Sequence, residues 1–466
     1  MKTYKLIIYT VLLLMITSCD KAEFLDKKPS ASLVVPTKLE DFRRLLDNTN
    51  IFNFTGGLAQ MSGDDYYMEN AQYMAGITTQ RNAYIWAKDI YIGEGPVADW
   101  FQLYREVFYA NAVLDGLGKS SEIETAEGQY IKGWALFARA YAFYDLARGF
   151  CKSYDAATAN QDLGIPLRLT ASIDYTADRG TLQKTFDQIL GDLATAEPLL
   201  PTTRQEFYQN RPSKVALYAL LARIYLDMRN YTEAESYADK CLNTYNQLID
   251  YNTVNKTTLN PFLTPNDELI YNVSQVAAYS SFTNASAAAT GAKVLPQLIA
   301  TYSDNDLRKV LYFTKLVDNT YTKKNGYYGF GSTYPFTGLA TDEVYLIKAE
   351  CLARRNQTQT ALTTLDQLLV KRWNPGATNP SKPYQNAVAS TPEEALSLIL
   401  LERRKELVWR GLRWYDLKRL NKSGANITLT RTVNGNTYSL PPNDLRYVFP
   451  IPDDEILLSG IQQNLR

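Results

Sequence analysis

The sequence predicts a mainly α protein: a scaffold of helical hairpins carrying a loop-rich inserted region and a few short strands. Three observations lead there. Long segments repeat their apolar residues at three- and four-residue intervals, the period of a helix face. Two of these segments, far apart in the chain, repeat the same small-residue spacing across a turn. Between them, from about residue 248 to 340, runs a stretch rich in Thr, Asn, Tyr, Gly and Pro. It is too long to be one structureless loop inside a compact domain, so it reads as irregular structure with short strands built on the scaffold.

The first element is a leader. Lys2 and Lys5 precede the apolar run "LIIYTVLLLMI" (Leu6 to Ile16), the n- and h-regions of a secretory signal. A spanning helix needs about 20 apolar residues, and the run stops short of that. Ile16-Thr17-Ser18-Cys19 resembles a bacterial lipobox, which implies removal of residues 1–18 and acylation of Cys19. The plainer alternative is an ordinary signal peptide with an incidental cysteine. Each buried CH₂ of an acyl chain contributes about 0.8 kcal/mol, so several chains anchor stably where one does not. Residues 19–32, polar in "DKAEFLDKKPSAS", then form a tether, and 33–466 a single domain.

Helices dominate that domain. "VADWFQLYREVFYANAVLDGLG" sets Trp100, Leu103, Tyr104, Val107, Phe108 and Asn111 on one stripe, closed by Gly116 and Gly118. In "EGQYIKGWALFARAYAFYDLARGF", Trp134, Phe137, Tyr141 and Tyr144 recur with the same period, and Ala138 and Ala142 admit a close neighbour. The repeat follows: Ala222 and Ala234 flank a turn at Asn230-Tyr231, and Ala349 and Ala361 flank another at Asn356 with identical separation. Both units resemble tetratricopeptide-type hairpins, in which small residues seat one helix on the other and each pair covers the next. Last, Thr391-Pro392-Glu393-Glu394 supplies an N-cap, a proline at N1 and a carboxylate at N3. One helix through "ALSLILLERRKELVWRGLRWYDLKRL" is expected, with Glu402, Glu406 and Arg410 along a charged side and Leu401, Leu407, Val408 and Trp409 packing.

Composition excludes several chemistries. Lys plus Arg equals Asp plus Glu at 49 each, so no basic field attracts nucleic acid. The chain has no histidine, which removes histidine triads, histidine zinc sites and the usual neutral-pH proton shuttle. Cys151, Cys241 and Cys351 are widely spaced without a CxxC, and the two in helical patterns read as packing residues. Paired carboxylates such as Glu402 and Glu406 can serve glycosidases, but Glu/Arg ladders on helices are far more often ion pairs. No cofactor is expected. "SDNDLR" (Ser303 to Arg308) lacks the glycine and distant glutamate of a calcium loop, and Asp64-Asp65 suits a turn better than structural calcium.

Taken in order, "ADWFQLYREVFYANAVLDGL", "GWALFARAYAFYDLARGF" with "LGIPL", "ALLARIYLDMRNYTEA", "DEVYLIKAECLAR", "ERRKELVWRGLRWYDLKRL" and "VFPIPDDEI" ending in "QQNL" resemble the successive signature blocks of the SusD/RagB family of outer-membrane lipoproteins. With the lipobox they span nearly the whole chain. The resemblance implies four tetratricopeptide-like helix pairs, a loop-rich binding region and no enzymatic activity. It also implies a SusC-like TonB-dependent transporter as partner, and capture of oligosaccharides, or peptides in some branches, at the cell surface. The charged residues directly after Cys19 look like the surface-export signal of Bacteroidetes lipoproteins, which implies an anchor in the outer membrane facing the exterior.

The binding residues are sought among loop aromatics. A sugar ring offers apolar C–H faces and a hydroxyl rim, so flat rings stack on the face while Asn, Asp, Arg or Gln satisfy the rim. Two segments have that chemistry, Asp64 to Trp86 and Asn319 to Phe336. The ligand-binding candidates are Tyr67, Tyr73, Trp86, Tyr327, Tyr328, Phe330 and Tyr334; the alternative role for each is to cover the scaffold. A surface glycosidase would instead need converging carboxylates there, with Asp64, Asp65 and Glu69 the first suspects. Helical hairpins alone would suit a protein-binding adaptor.

Overall fold

The computed structural model describes residues 37–172, 174, 176–279, 282, 292–327 and 334–466. Cys19, Tyr328 and Phe330 lie outside the described residues. The helical frame consists of α1 (Leu39–Leu46), α2 (Ala98–Leu117), α3 (Ala126–Phe150), α4 (Leu182–Ala196), α5 (Lys214–Asp227), α6 (Tyr231–Thr244), α7 (Thr341–Arg354), α8 (Thr358–Leu369), α9 (Pro392–Glu406), α10 (Arg413–Lys422) and α11 (Asp453–Ser459). Helix α2 packs on α3 and α3 on α4; α5 packs on α6, and α7 on α8. The two sequence-distant hairpins meet through α6 and α7, and α9 closes the far side of α7.

The repeated spacing has the expected physical basis. Ala222, Ala234, Ala349 and Ala361 are fully buried at the helix contacts. Arg229 and Asn356 turn the chain with positive φ, and the Asn230 side chain accepts the Glu233 N–H to cap α6. Helix α3 is buried on all sides from Gly133 to Phe150, which marks it as a central helix rather than an amphipathic surface one. No described helix is long and apolar enough to cross a membrane.

The expected single C-terminal helix is two. Helix α9 begins as predicted, with Pro392 at N1 and Thr391 Oγ1 accepting the Glu394 N–H, but Glu394 reaches back to the N–H of Ser390, not Thr391. It ends at Glu406, because Trp409 and Gly411 both adopt φ +66° and turn the chain into α10. The charged side is corrected as well. Glu402 and Glu406 are buried while Leu401 is 40% exposed, so ion pairs, not solvent, receive that face.

Those pairs hold the inserted region to the scaffold. Arg308 contacts Asp306, Glu402 and Glu406 at 2.7, 2.6 and 3.0 Å. Arg372 bridges Glu406 and Glu268 at 2.8 and 2.7 Å, and Lys405 joins Asp306 and Glu402. Arg410 turns away from Glu406 to Asp342, at 2.5 Å. Burial pushes the Glu406 carboxyl up, but Arg372 and Arg308 outweigh it and hold it below the usual range.

The strands are short, as expected. β1 (Phe54–Thr55) runs parallel to β4 (Ser274–Gln275), and β3 (Leu269–Tyr271) antiparallel to β8 (Leu339–Ala340). β2 (Tyr66–Tyr67), β5 (Lys293–Val294), β7 (Tyr321–Lys323) and β6 (Phe313–Lys315) form one sheet in that order. A last hairpin, β9 (Leu429–Val433) and β10 (Asn436–Leu440), lies outside the inserted region. Its Asn434-Gly435 corner, both at positive φ, is a strong hairpin signal, and the strand before it alternates buried and exposed residues.

Candidate functional site

The two tyrosine-rich segments meet on the four-stranded sheet. Tyr67 opposes Lys293, Lys293 opposes Thr322, and Thr322 opposes Thr314. Directly opposed residues share a face, so these four form one row. The other face carries Tyr66, Val294, Phe313 and Lys323, all buried. Burial, and then the charges of Arg410 and Lys324, pushes the Lys323 ammonium down to about 7. The strand that joins the two segments, β5, carried no aromatic signal, and Lys293 was not foreseen.

Lys293 organises the open face. Its ammonium bridges Glu69 Oε1 at 2.5 Å and Asp318 Oδ2 at 2.8 Å, and Asp318 also accepts from the N–H and hydroxyl of Thr320. These hydrogen bonds, which the ammonium donates to Asp318 and Glu69, raise the Lys293 pKa. Half-buried Tyr67 stands beside them. One aromatic ring, a cation, two carboxylates and Thr320 therefore share a surface, the ring-plus-rim chemistry that recognises polyols, while Thr322 of the same row is buried. Tyr334 is half-buried at the end of the second segment, and Met74 and Ile77 are exposed near the first.

Three of the expected residues take interior positions instead. Trp86 is 1% exposed; its indole N–H donates to Ser62 O at 3.0 Å, and Arg431 from the late hairpin covers its ring at 4.8 Å. Tyr327 is 4% exposed, its hydroxyl donates to Glu268, its ring packs between Phe262 and Phe336, and Arg410 lies over it. Tyr73 is 7% exposed and packs on Tyr84 at 5.8 Å. A ring with so little exposed surface cannot stack on a ligand. All three are corrected to pillars beneath the site, because alternation of Tyr with Gly or polar residues does not reveal which ring the tertiary fold covers.

The suspected carboxylates are occupied. Asp64 pairs with Arg413 at 2.6 Å and with Arg404, and Asp65 pairs with Arg404 at 2.9 Å. Burial pushes the Asp64 carboxyl up, but Arg413 and Arg404 prevail and hold it well below the carboxylate range, which suits a structural anion and not a proton donor. Among the described residues no group of three or more His, Cys, Asp or Glu is placed to hold a metal ion. Cys151, Cys241 and Cys351 are free and buried.

Known proteins resemble this chain in sequence and in fold. Residues 23–226 match a family model described as starch-binding and associating with the outer membrane, and residues 303–465 match the model of the SusD family. "SusD-like protein P2" of Formosa agariphila is 23% identical over 425 residues, covering 77% of this chain and 78% of that protein. A crystal structure of a putative sugar binding protein from Bacteroides vulgatus is 22% identical and superposes with a TM-score of 0.71, covering 92% of this chain and 99% of that one. A laminarin binding SusD-like protein, 18% identical, superposes with a TM-score of 0.65 over 91% of this chain and 97% of its own.

Proposed function

The chain belongs to the SusD family, and from that membership we propose that it captures saccharides at the outer-membrane surface without cleaving them. The observation that carries the reading is that β5 joins both sugar-type segments, leaving Tyr67 half-open beside Lys293, Glu69 and Asp318. Tyr67 supplies the ring on which a pyranose C–H face stacks, and Glu69, Asp318 and Thr320 supply the rim. Tyr334, Tyr328 and Phe330 are proposed as further ring contacts from the second segment. Acylated Cys19 anchors the protein, residues 19–32 tether it as a single domain, and a SusC-like TonB-dependent transporter receives the ligand.

Catalysis is not part of the proposal. The carboxylates nearest the site are engaged in ion pairs with Arg404, Arg413 and Lys293; burial nevertheless pushes the Asp65 carboxyl up. A glycan array with a peptide control tests the reading: the wild type is expected to retain a saccharide class and leave it uncleaved on prolonged incubation. Tyr67→Ala should weaken that binding about tenfold, the loss of one stacked ring, with the unfolding midpoint unchanged. Retention of peptides alone, or turnover of the bound glycan, defeats it.

A further inference from the structure

A second aromatic surface lies along α2. An exposed helix face is ordinarily polar, yet Phe101 on the outside of α2 is 51% exposed, and Tyr104, Phe108 and Tyr109 are half-buried. Their spacing places Phe101, Tyr104 and Phe108 on one stripe. Between this stripe and α11, with Pro96, Pro166 and Pro452 as walls, is a groove of about 420 Å³, within the range of small-ligand sites.

The groove is built and not merely left open. Trp100 forms part of its lining, fixed by an indole N–H that donates to Glu455 Oε2 at 3.1 Å and by ring contact with Tyr104 at 4.7 Å. The Tyr104 hydroxyl donates to Pro166 O at 2.8 Å, which holds that ring as well. The rim is charged, with Arg105 and Arg168 on one part and Asp454 and Glu455 on another. Arg105 lies 5.7 Å over the Phe101 ring and donates through Nη2 to Asn50 O. Its Nε–H, buried, has no hydrogen-bond partner among the described residues. The Arg105 guanidinium is therefore only partly paired within the protein, and it lines the groove.

We propose that this groove is a second saccharide-binding site, one or two pyranose rings in size, which shares no residue with the sheet face. A pyranose C–H face lies on Phe101 and Phe108, a ring hydroxyl accepts from the Arg105 guanidinium, and other hydroxyls donate to Asp454. The proposal rests on the reading that the protein binds saccharides. A purely apolar partner is a poorer match, since it would bury Arg105, Arg168 and two carboxylates without satisfying them.

Calorimetric titration with laminarihexaose separates the possibilities. The wild type is expected to give a two-site isotherm. Phe101→Ala and Arg105→Leu should each remove one site, or weaken it about tenfold; the unfolding midpoint is expected unchanged for Phe101→Ala, whose side chain is exposed, and lowered slightly for Arg105→Leu, which also gives up the hydrogen bond to Asn50. Tyr67→Ala should remove the other. An isotherm indifferent to Phe101→Ala and Arg105→Leu but sensitive to Tyr67→Ala overturns the groove and leaves the sheet face standing. Absence of binding heat in the wild type, both with laminarihexaose and with the saccharide retained on the glycan array, overturns both.

Discussion

At the scale of single residues, burial decides role more than residue type does. Trp86 and Tyr67 belong to the same segment, yet one is enclosed beneath Arg431 and the other stands half-open beside Lys293. Asp99 illustrates the electrostatic side of burial. It lies in the first turn of α2 and accepts the Leu58 N–H at 2.9 Å. Burial pushes its carboxyl up to about 7, the Asp145 charge adds to the rise, and the Leu58 hydrogen bond only partly opposes it. In the unfolded chain the same group ionises near 3.8. Between those values the unfolded state has released a proton that the folded state keeps, so rising pH favours unfolding. Stability contributed by protonated Asp99 is thus present below about pH 4 and lost as pH rises through about 7. Asp99→Asn is expected to flatten the fall in denaturation midpoint between about pH 4 and 7; an unchanged slope would show that Asp99 ionises normally.

At the scale of elements, the hairpin spacing and the caps were legible, and the break between α9 and α10 was not. Leu407, Val408 and Trp409 keep the apolar character of a continuing helix, so periodicity carried the helix straight through. Gly411 was the available signal. It takes φ +66°, and a Cβ there would stand 3.3 Å from Thr337 Cγ2. Holding an L-residue in that left-handed region costs roughly 1–2 kcal/mol, so Gly411→Ala should lower stability by about that amount in urea denaturation. A variant as stable as the wild type would mean the turn can relax. Gly338 is a stricter case of the same kind: a Cβ there would come within 2.1 Å of Tyr271 O, so β3 and β8 meet only because no side chain intervenes.

At the scale of the whole molecule, an ionic layer joins the inserted region to the scaffold. Arg308 and Glu268 come from the insertion, Arg372 follows α8, and Glu402 and Glu406 project from α9. Forming such buried pairs adds little net stability, because desolvation offsets the attraction, but removing one partner leaves a bare charge. Glu406→Gln leaves Arg308 and Arg372 short of a carboxylate and should cost about 3–5 kcal/mol, read as a lowered denaturant midpoint. Glu40→Gln, which breaks the exposed pair with Arg44, should leave the midpoint where it was. Equal effects from the two would deny the layer its role.

The sequence alone determined the helical class, the paired hairpins with their turns at Asn230 and Asn356, the family blocks and the two aromatic segments. Each is written in local chemistry: a period of 3.6, a cap, a small residue, a cluster of rings. Only the tertiary structure decided that β5 would bring those segments into register, that Tyr327 and Trp86 would face inward, and that the Glu402–Glu406 side of α9 would meet arginines instead of water. Periodicity tells a residue which neighbours share its face of one element. What covers that face is set by elements distant in the chain, and the energy of a ring or a charge depends on that cover.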